Sequence, residues 1–594
     1  MLVPFENQKI ARMWIIDNAW GRWAGTLYRY RDAIALLLLP ELILAVNPNW
    51  PFQDIGSWDP WYYFGGFLHF ARYQKLIVNY PAERLMWILP GAILVRILSP
   101  VYGLLAVHVL FYSISVFSMY FLVKTFADRR TALLTAFLLG CHPLFLGANG
   151  WAYVDSASIT YFLLTLAFIV KAKSSRFPWA FLILAGASCA SLVFTYILWL
   201  SVSPCFVYFY YVTSYGDAVV SFKAFRDRLP RFLVLFLVGA AGLTACLQII
   251  HAAIYGFGKG FFFQNNWATA LAIIAQKHSP FSSGNFQWVW SASWIVFPVL
   301  VLFVSVGLSI QDRRGVITLA SQARAAIHIY LYVLAVAVIM TARPVRLLEF
   351  DYFASILIPP AFLAMGMTIF RVPTSWGNAR FYSLLAVCCI VCVLPLSRPN
   401  LYLSARIDGL SFTYALGVVM MAICIVHPRK NSSWVALMCL FPIVSFALVP
   451  TQPGAAWLMQ YNGMALTRRV ALAVGAIDRR LPLDAYPAFW IDNYDSPNSA
   501  EYRAIMCAIL SHGFSMQHYP EVDAGLAYRP GTFLILITEN KDVFDTASEK
   551  MTSAGMPLSL YGQDRISGGG TSYWLTYVRV LESVSRARVD SIAP

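Results

Sequence analysis

Long apolar runs, separated by short charged segments, constrain the fold of this chain more than any other feature. They lie near residues 33–47, 101–123, 131–148, 157–172, 178–197, 199–213, 231–254, 291–310, 326–342, 352–370, 381–397, 412–427 and 433–449. In lipid, backbone polar groups find no water, so each spanning segment must pair them within a helix, using roughly 20 residues. The runs predict a polytopic α-helical membrane protein with about thirteen transmembrane helices.

The overall composition agrees with lipid as the main solvent. Apolar residues make up 59% of the 594 residues and charged residues only 12%, against roughly 45–50% and 25% in soluble domains. Residues 1–32 mix aromatic residues with arginines and lack a small-residue cleavage site. They predict an amphipathic N-terminal segment on the cytoplasmic surface rather than a cleaved signal.

Basic residues predict the orientation. With a cytoplasmic N-terminus, every second loop is basic, as the positive-inside rule requires. These residues are Arg129, Arg130, Lys171, Lys173, Arg176, Lys223, Arg226, Arg228, Arg231, Arg313, Arg314, Arg324, Arg371, Arg380, Arg429 and Lys430. The net charge of +15 therefore comes from dispersed loops, which excludes nucleic acid as the expected partner.

The opposite side of the membrane receives three sizeable pieces. Within the transmembrane domain 33–450, they are the loops 48–100 and 255–290, and the segment 85–98 of the first loop predicts an interfacial or re-entrant helix. The third piece, 451–594, predicts a small periplasmic α/β domain. Its expected strands are 486–492, 533–537 and 572–581, and its expected helices are 499–513 and 542–553.

Carboxylates at the membrane boundary are the first candidate site residues. Asp54 and Asp59 lie in the aromatic first outer loop. Asp155 lies in the second outer loop, at the start of the predicted span 157–172. A lone carboxylate there has a structural alternative, as a helix cap favoured by the dipole. Because carboxylates recur in consecutive outer loops, a functional role is favoured.

Cations on the same side form a second cluster. Arg343 and Arg346 stand at the outer end of a span, where the positive-inside rule does not expect them. Two partners explain them equally well: a phosphate held bidentately, or the nearby Glu349 and Asp351. Lys259 in the other outer loop suits an anionic head group, and interfacial lipid contacts explain it equally well.

The cysteines give no sign of a metal or disulfide framework. Nine of the ten lie in the apolar region, and Cys388, Cys389 and Cys392 are expected as small buried residues of a helix. The sequence requires no metal or cofactor. Paired carboxylates indicate Mg²⁺ or Mn²⁺ only weakly.

These features together resemble the GT-C superfamily of membrane glycosyltransferases that use polyprenyl-phosphate sugars. The motif Trp-Asp-Pro-Trp-Tyr-Tyr at 58–63 is similar to the first-loop motif of oligosaccharyltransferase catalytic subunits. An Asp that opens the fourth span, the segment 346–352 and the pair Pro359-Pro360 complete the resemblance. Their order and the C-terminal domain look more like bacterial lipid A aminoarabinose transferases and protein O-mannosyltransferases.

Two departures narrow the resemblance. The soluble part lacks the Trp-Trp-Asp-Tyr-Gly element of oligosaccharyltransferases, so transfer of glycans to asparagine is not expected. The other two groups usually carry Asp-Glu in the first loop, whereas Asp59 is followed by Pro60. The choice between Asp54 and Asp59 stays open, with the spacing to Tyr62 and Gly65 favouring Asp59.

The resemblance implies an inverting glycosyltransferase in a bacterial inner membrane. A polyprenyl-phosphate sugar is the expected donor, and lipopolysaccharide, another envelope glycan, a lipid or a protein is the acceptor. Asp59 is expected as the general base, and Asp155 orients the acceptor or helps hold a cation. Arg343 and Arg346, with Lys259, are expected to neutralise the leaving phosphate.

Two other functional classes remain as alternatives. A lipid-linked-sugar flippase or a secondary transporter usually places ionisable residues at mid-membrane or shows two related halves. Here the centres of the spans are nearly free of charge and no repeat is found. A non-catalytic assembly subunit predicts that replacing Asp59 changes only stability.

Overall fold

The computed structural model shows a mostly helical protein. It describes residues 30–46, 50, 63, 66–67, 70, 83–98, 100–150, 154–215, 222–256, 260–275, 296–341, 348, 355–370, 377–393, 488–491, 533–538, 545, 548–549, 552–553, 557–568 and 571–581. The predicted segment 1–32 therefore lies almost entirely outside the described residues.

Fourteen helices are described in the part of the chain before residue 394. They are α1 (30–46), α2 (Leu85–Leu98), α3 (Pro100–Phe126), α4 (Arg129–Cys141), α5 (Pro143–Gly150), α6 (Val154–Ser174), α7 (Pro178–Thr195), α8 (Pro204–Tyr215), α9 (Phe222–Tyr255), α10 (Gln264–Ala275), α11 (Val296–Arg313), α12 (Ser321–Thr341), α13 (Ile358–Thr368) and α14 (Asn378–Val393). Two 3₁₀ segments, Ile197–Val202 and Ser355–Leu357, precede α8 and α13.

Six described helices are long and apolar enough to cross a membrane. They are Tyr102–Phe126, Val154–Ser174, Pro178–Thr195, Ile197–Ser214, Arg226–Ile254 and Ser321–Thr341. Each coincides with a predicted span, so several of the predicted spans are confirmed as helices. The predicted spans 412–427 and 433–449 fall outside the described residues, and the total of about thirteen stays a prediction.

The predicted span 131–148 is two helices rather than one. α4 and the residues after Pro143 meet at a bend of 60°. Proline has no backbone N–H and disfavours a helical conformation in the residue before it, so α4 ends at Cys141 and α5 begins at Pro143. Counted as one bent span, the pair raises the described total to seven.

The core of the bundle centres on α6, which packs against α3 and α7. α9 in turn packs on α7 through two glycines. A Cβ at Gly186 would lie 1.8 Å from the carbonyl oxygen of Phe236, and one at Gly239 would lie 1.9 Å from that of Ile183. Small residues let apolar helices approach until their backbones touch, which maximises dispersion contacts where lipid supplies no hydrophobic driving force.

One end of the bundle, here called the basic end, is held by an ion pair. Arg129 binds the buried Asp32 through Nε and through Nη2, the latter at 2.6 Å from Oδ1. Tyr120 donates its hydroxyl to the same carboxylate at 2.6 Å. Nearby, the guanidiniums of Arg31 and Arg130 lie over the rings of the adjacent residues Tyr382 and Phe381 of α14.

Four strands form a sheet among the residues that the structure describes after position 487. They are β1 (Ala488–Ile491), β2 (Phe533–Thr538), β3 (Leu558–Gly568) and β4 (Thr571–Val580), in the order β1-β2-β4-β3. β1 pairs parallel to β2, and the other pairs are antiparallel. Three strands match sequence predictions, whereas β3 was missed.

The α/β character of the region 451–594 stays a prediction. Parallel strands need a crossover connection, usually a helix. The connection from β1 to β2 contains the predicted helix 499–513, which lies outside the described residues.

Candidate active site

Asp155 lies in the first turn of α6, at the end of the bundle opposite Arg129, which we call the site end. Asp155 is 4% exposed. One turn further along α6, Ser158 shares a hydrogen bond of 2.8 Å with Thr195 at the end of α7. Residues three apart on a helix share a face, so the Asp155 face of α6 adjoins the end of α7.

Trp50 brings the first outer loop to this end. Its indole Nε1 donates to the carbonyl oxygen of Leu146 in α5 at 2.8 Å. A Cβ at Gly150 would lie 2.2 Å from the Trp50 carbonyl oxygen, so glycine is needed for this approach. Because Gly150 precedes Asp155 by five positions, Trp50 lies close to the start of α6.

Arg84 is a buried cation at the site end. The residue is 1% exposed, and its Nη1 donates to the Tyr63 hydroxyl at 2.6 Å. Its guanidinium carbon lies 5.2 Å from the ring centroid of Tyr196 and 5.9 Å from that of Tyr63. Aromatic faces attract such a cation electrostatically. Tyr196 directly follows Thr195, so Arg84 is near the Asp155 face of α6.

Glu83 extends in a different direction, to the second large outer loop. Its carboxylate accepts hydrogen bonds from the backbone N–H of Asn265 and of Asn266, both at 2.8 Å, and from Asn266 Nδ2 at 3.0 Å. It thereby satisfies free donors in the first turn of α10. Burial raises the pKa of Glu83, while these hydrogen bonds act to lower it.

The described residues around the arginine cluster also belong to the site end. The 3₁₀ segment Ser355–Leu357 packs against α5 and α6. The two described residues that flank the cluster are hydrogen-bonded to each other: the backbone N–H of Leu348 donates to the hydroxyl of Thr341, at the end of α12, at 2.9 Å. Arg343 and Arg346 fall between Thr341 and Leu348 and lie outside the described residues.

The neighbours of Lys259 are held by a glutamine of α9. Gln248 donates to the carbonyl oxygen of Gly260 at 2.8 Å and accepts from the backbone N–H of Phe262 at 3.0 Å. Gly256 and Gly260 both have positive φ, +95° and +80°, a conformation that glycine adopts without strain. Lys259 itself lies outside the described residues.

The structure therefore places one of the six predicted site residues directly. Asp155 is described, whereas Asp54, Asp59, Arg343, Arg346 and Lys259 are not. For the five others, the described neighbours contact the same end of the bundle.

Sequence reasoning missed Glu83 and Arg84. The available signal was an acid–base pair directly before an apolar helix, the only charges between Lys75 and Arg96. What the sequence could not give was their partners, which are distant along the chain.

This arrangement suits group transfer to or from an anion. Buried arginine stays charged at any working pH and offers several donors, which fits a phosphate. Carboxylates are among the groups that act as general acids or bases in such transfers, and Asp155 is a buried carboxylate on a neighbouring helix. Among the described residues, no group of three His, Cys, Asp or Glu side chains could hold a metal ion.

Comparison with known proteins gives a structural likeness without a sequence match. No family profile and no curated protein sequence matches the chain. The structure is similar to the crystal structure of ArnT from Cupriavidus metallidurans bound to undecaprenyl phosphate, with a TM-score of 0.51 and 12% identity. The match covers 93% of this chain and 98% of that chain.

Two further solved structures are less similar. The apo state of the same ArnT has a TM-score of 0.46 at 11% identity, covering 93% of this chain and 98% of that one. The archaeal oligosaccharyltransferase AglB from Archaeoglobus fulgidus, in complex with an inhibitory peptide and a dolichol-phosphate, has a TM-score of 0.44 at 13% identity, covering 92% and 74%. The ArnT complex shows that this chain has the GT-C fold, which confirms the predicted resemblance at the level of fold.

Proposed function

We propose that this chain, a membrane protein with the GT-C fold, transfers a sugar from a polyprenyl-phosphate donor to an envelope acceptor. The acceptor class stays open between a glycan such as lipopolysaccharide, a lipid and a protein. The ArnT structure that resembles this chain with a TM-score of 0.51 is bound to undecaprenyl phosphate, which supports a lipid phosphate as the donor's carrier. The predicted orientation would place the reaction on the periplasmic side of an inner membrane.

One observation carries the proposal: buried charges at the site end contact described residues of the two predicted outer loops, Tyr63 in the first and Asn266 in the second. Arg84 is buried beside Tyr63 and Tyr196. Asp155 is buried in the first turn of α6. A bundle that needed only stability would gain little from burying these charges, since each loses hydration. In the proposed reaction, Arg84 binds the anionic donor and Asp155 orients the acceptor.

The chemistry follows as one displacement. The acceptor hydroxyl attacks the anomeric carbon while Asp59 takes its proton, and the bond from that carbon to the phosphate oxygen breaks. The lipid phosphate leaves with the bonding electrons, so the anomeric configuration inverts. In this scheme Asp155 orients the acceptor. Asp54 is the alternative base.

Cations would lower the barrier by stabilising charge on the departing phosphate. Arg343, Arg346 and Lys259 are the cations expected from the sequence, and the structure adds Arg84 as a fourth candidate. Donors already held in place at a site with little water stabilise developing charge without reorganising. Arg84 fits this requirement because its guanidinium is hydrogen-bonded and lies over two aromatic rings.

Sugar transfer by proteoliposomes tests the proposal. They would contain the purified chain, a mixture of undecaprenyl-phosphate sugars labelled in the sugar, and an envelope extract as acceptor. Asp59→Asn, Asp155→Asn and Asp54→Asn would be compared with Asp227→Asn as a matched control. Asp227 is exposed and lies 3.9 Å from Arg226, beyond hydrogen-bond distance. All variants would be normalised to the folded fraction.

The expected result is label in an acceptor with the parent and the Asp227 variant. Loss of the base should reduce transfer by about 10²–10⁴-fold. Equal transfer by all four variants would remove the carboxylates from the chemistry. Labelled lipid that changes leaflet without any transfer would overturn the proposal in favour of a flippase.

A further inference from the structure

Residues 83–85 connect both outer loops to the bundle. Glu83 caps α10, and Arg84 binds Tyr63 in the first outer loop. The next residue, Leu85, belongs to a separate apolar cluster with Phe262 and Phe263, which directly precede α10. Three consecutive residues thus contact partners that are far apart along the chain.

The contact between Glu83 and α10 is specific in geometry. Both carboxylate oxygens are used, and the three donors lie on two consecutive residues, Asn265 and Asn266. Glu83 is 9% exposed and Asn266 is 4% exposed. Hydrogen bonds to an ionised acceptor are stronger than those between neutral groups, and burial shields them from competing water.

Packing on the apolar side reinforces the same position. Phe194 at the end of α7 contacts Phe262 and Phe263 edge-on, with ring centroids 4.9 and 5.1 Å apart. Leu247 of α9 is buried in the same cluster. The segment 260–266 is therefore fixed by an apolar contact on one side and by a carboxylate on the other. Lys259 directly precedes it.

We infer that Glu83 is a positioning residue, whose hydrogen bonds to Asn265 and Asn266 hold the segment 260–266 in register with Arg84. The inference rests on the proposed function for its activity readout, because it places the segment 260–266 beside the donor site to which Arg84 is assigned. Glu83 touches no reacting atom in this arrangement. It acts through Asn265 and Asn266.

Hydrogen exchange measures the contact without any substrate. Peptides covering 260–275 would be followed in the purified full chain, in Glu83→Ala and in Asp128→Ala. Asp128 is a matched control, since its carboxylate caps α4 at the basic end. Exchange of the Asn265 and Asn266 amides should quicken by about tenfold or more in Glu83→Ala. The Asp128 variant should leave these peptides unchanged.

Donor kinetics then separate positioning from chemistry. With labelled undecaprenyl-phosphate sugars, Glu83→Gln should raise KM for the donor by about tenfold and change kcat less. Asn266→Asp should weaken the contact as well, because two carboxylates would face each other. The double variant Glu83→Gln/Asn266→Asp restores a donor–acceptor pair of reversed polarity and should recover part of the KM. A chemical role for the Glu83 carboxylate predicts no such recovery.

The outcomes distinguish this inference from the proposed function. Unchanged exchange in Glu83→Ala overturns the inference whatever the activity. Faster exchange with an unchanged KM makes Glu83 a purely structural cap and also overturns it. Failure of the parent itself to transfer sugar or to bind undecaprenyl phosphate overturns the proposed function, and the assignment to a phosphate falls with it.

Discussion

The two ends of the helical bundle use the same residue types in different ways. At the basic end, the carboxylate of Asp32 and the guanidinium of Arg129 form a two-pronged ion pair. At the site end, the adjacent residues Glu83 and Arg84 contact different groups. Glu83 accepts from the amides of α10, whereas Arg84 donates to the Tyr63 hydroxyl and lies over aromatic rings.

The difference separates a charge pair that joins two helices from the charge of Arg84, which the proposed function assigns to the donor. A bidentate pair satisfies both partners and fixes two helices against each other. Backbone amides stabilise the charge of the Glu83 carboxylate, and aromatic faces stabilise that of the Arg84 guanidinium. The proposed function assigns Arg84 at the site end to the donor phosphate, whereas the ion pair at the basic end fixes two helices against each other.

The largest expected effect breaks the comparison at its arginines. Arg84→Met should lower sugar transfer by about 100-fold, since it removes a fixed cation from the departing phosphate. Sugar transfer by Arg84→Lys should lie between that of the parent and that of Arg84→Met, because lysine keeps the charge but lacks the planar guanidinium with its paired donors. Arg129→Met should leave turnover per folded molecule within about twofold. Similar losses in both methionine variants, each following the folded fraction, would mean that the two arginines have the same role.

The second prediction concerns stability at the basic end. Arg129→Met should destabilise the fold by about 2 kcal/mol, because the buried Asp32 keeps its charge and loses its main partner. The cost is below that of a fully buried pair, since the Arg129 side chain is 36% exposed. Removing Arg226 from the exposed pair with Asp227 should change stability by no more than about 0.5 kcal/mol. Unfolding in sodium dodecyl sulfate measures the loss of stability in both variants. Equal losses would contradict a stabilising role of the ion pair between Arg129 and Asp32.

The third prediction sharpens the comparison through pH. Asp32 directly precedes the predicted span 33–47. Burial alone would raise the pKa of Asp32, but hydrogen bonds from Arg129 and Tyr120 hold this pKa below its usual value. Its contribution is complete above the unfolded pKa of about 3.9 and is lost as the pH falls through the lower folded pKa. Burial raises the pKa of Glu83, so the folded state binds the proton more tightly.

Glu83 therefore contributes with the opposite sign. Its ionisation costs stability above the raised folded pKa, and this cost is relieved as the pH falls toward the unfolded value of about 4.3. Thermal unfolding in detergent across pH 4 to 7 should show a slope that Glu83→Gln removes and Asp32→Asn keeps. A slope that survives in Glu83→Gln would assign it to another group.

Local patterns in the sequence predicted most of the helices but few of the contacts between them. Apolar runs of sufficient length suffice for helices such as α6, because lipid leaves the backbone no other way to pair. Asp155 was also predicted from a local pattern, because it is a carboxylate at the start of a predicted span. The bend at Pro143 was readable from proline chemistry, yet hydropathy alone joined 131–148 into one span.

Contacts between distant residues lay beyond such reasoning. The cap on α10 joins Glu83 to Asn266, two residues that no local pattern relates. The strand β3, Leu558–Gly568, was missed because polar residues interrupt its alternation at Gln563, Asp564 and Arg565. Its pairing with β4 compensates, and Gly562 leaves room for the Tyr577 ring at a register shift. In both places tertiary partners decide what the local sequence leaves open.

The smallest expected effect compares two carboxylate caps. Asp128 accepts from the backbone N–H of Arg130 and Thr131, at 2.9 and 3.0 Å, within its own turn. Asp128→Ala should therefore cost about 1 kcal/mol of unfolding free energy, the usual value of a local cap, and leave sugar transfer unchanged. Glu83→Ala should cost a similar amount in stability but also raise the donor KM. The reason is that Glu83 caps α10, a helix distant along the chain, whereas Asp128 caps its own helix. Equal KM values in the two variants would show that the distance spanned by a cap has no bearing on function, and the contrast between the two ends would then rest on Arg84 alone.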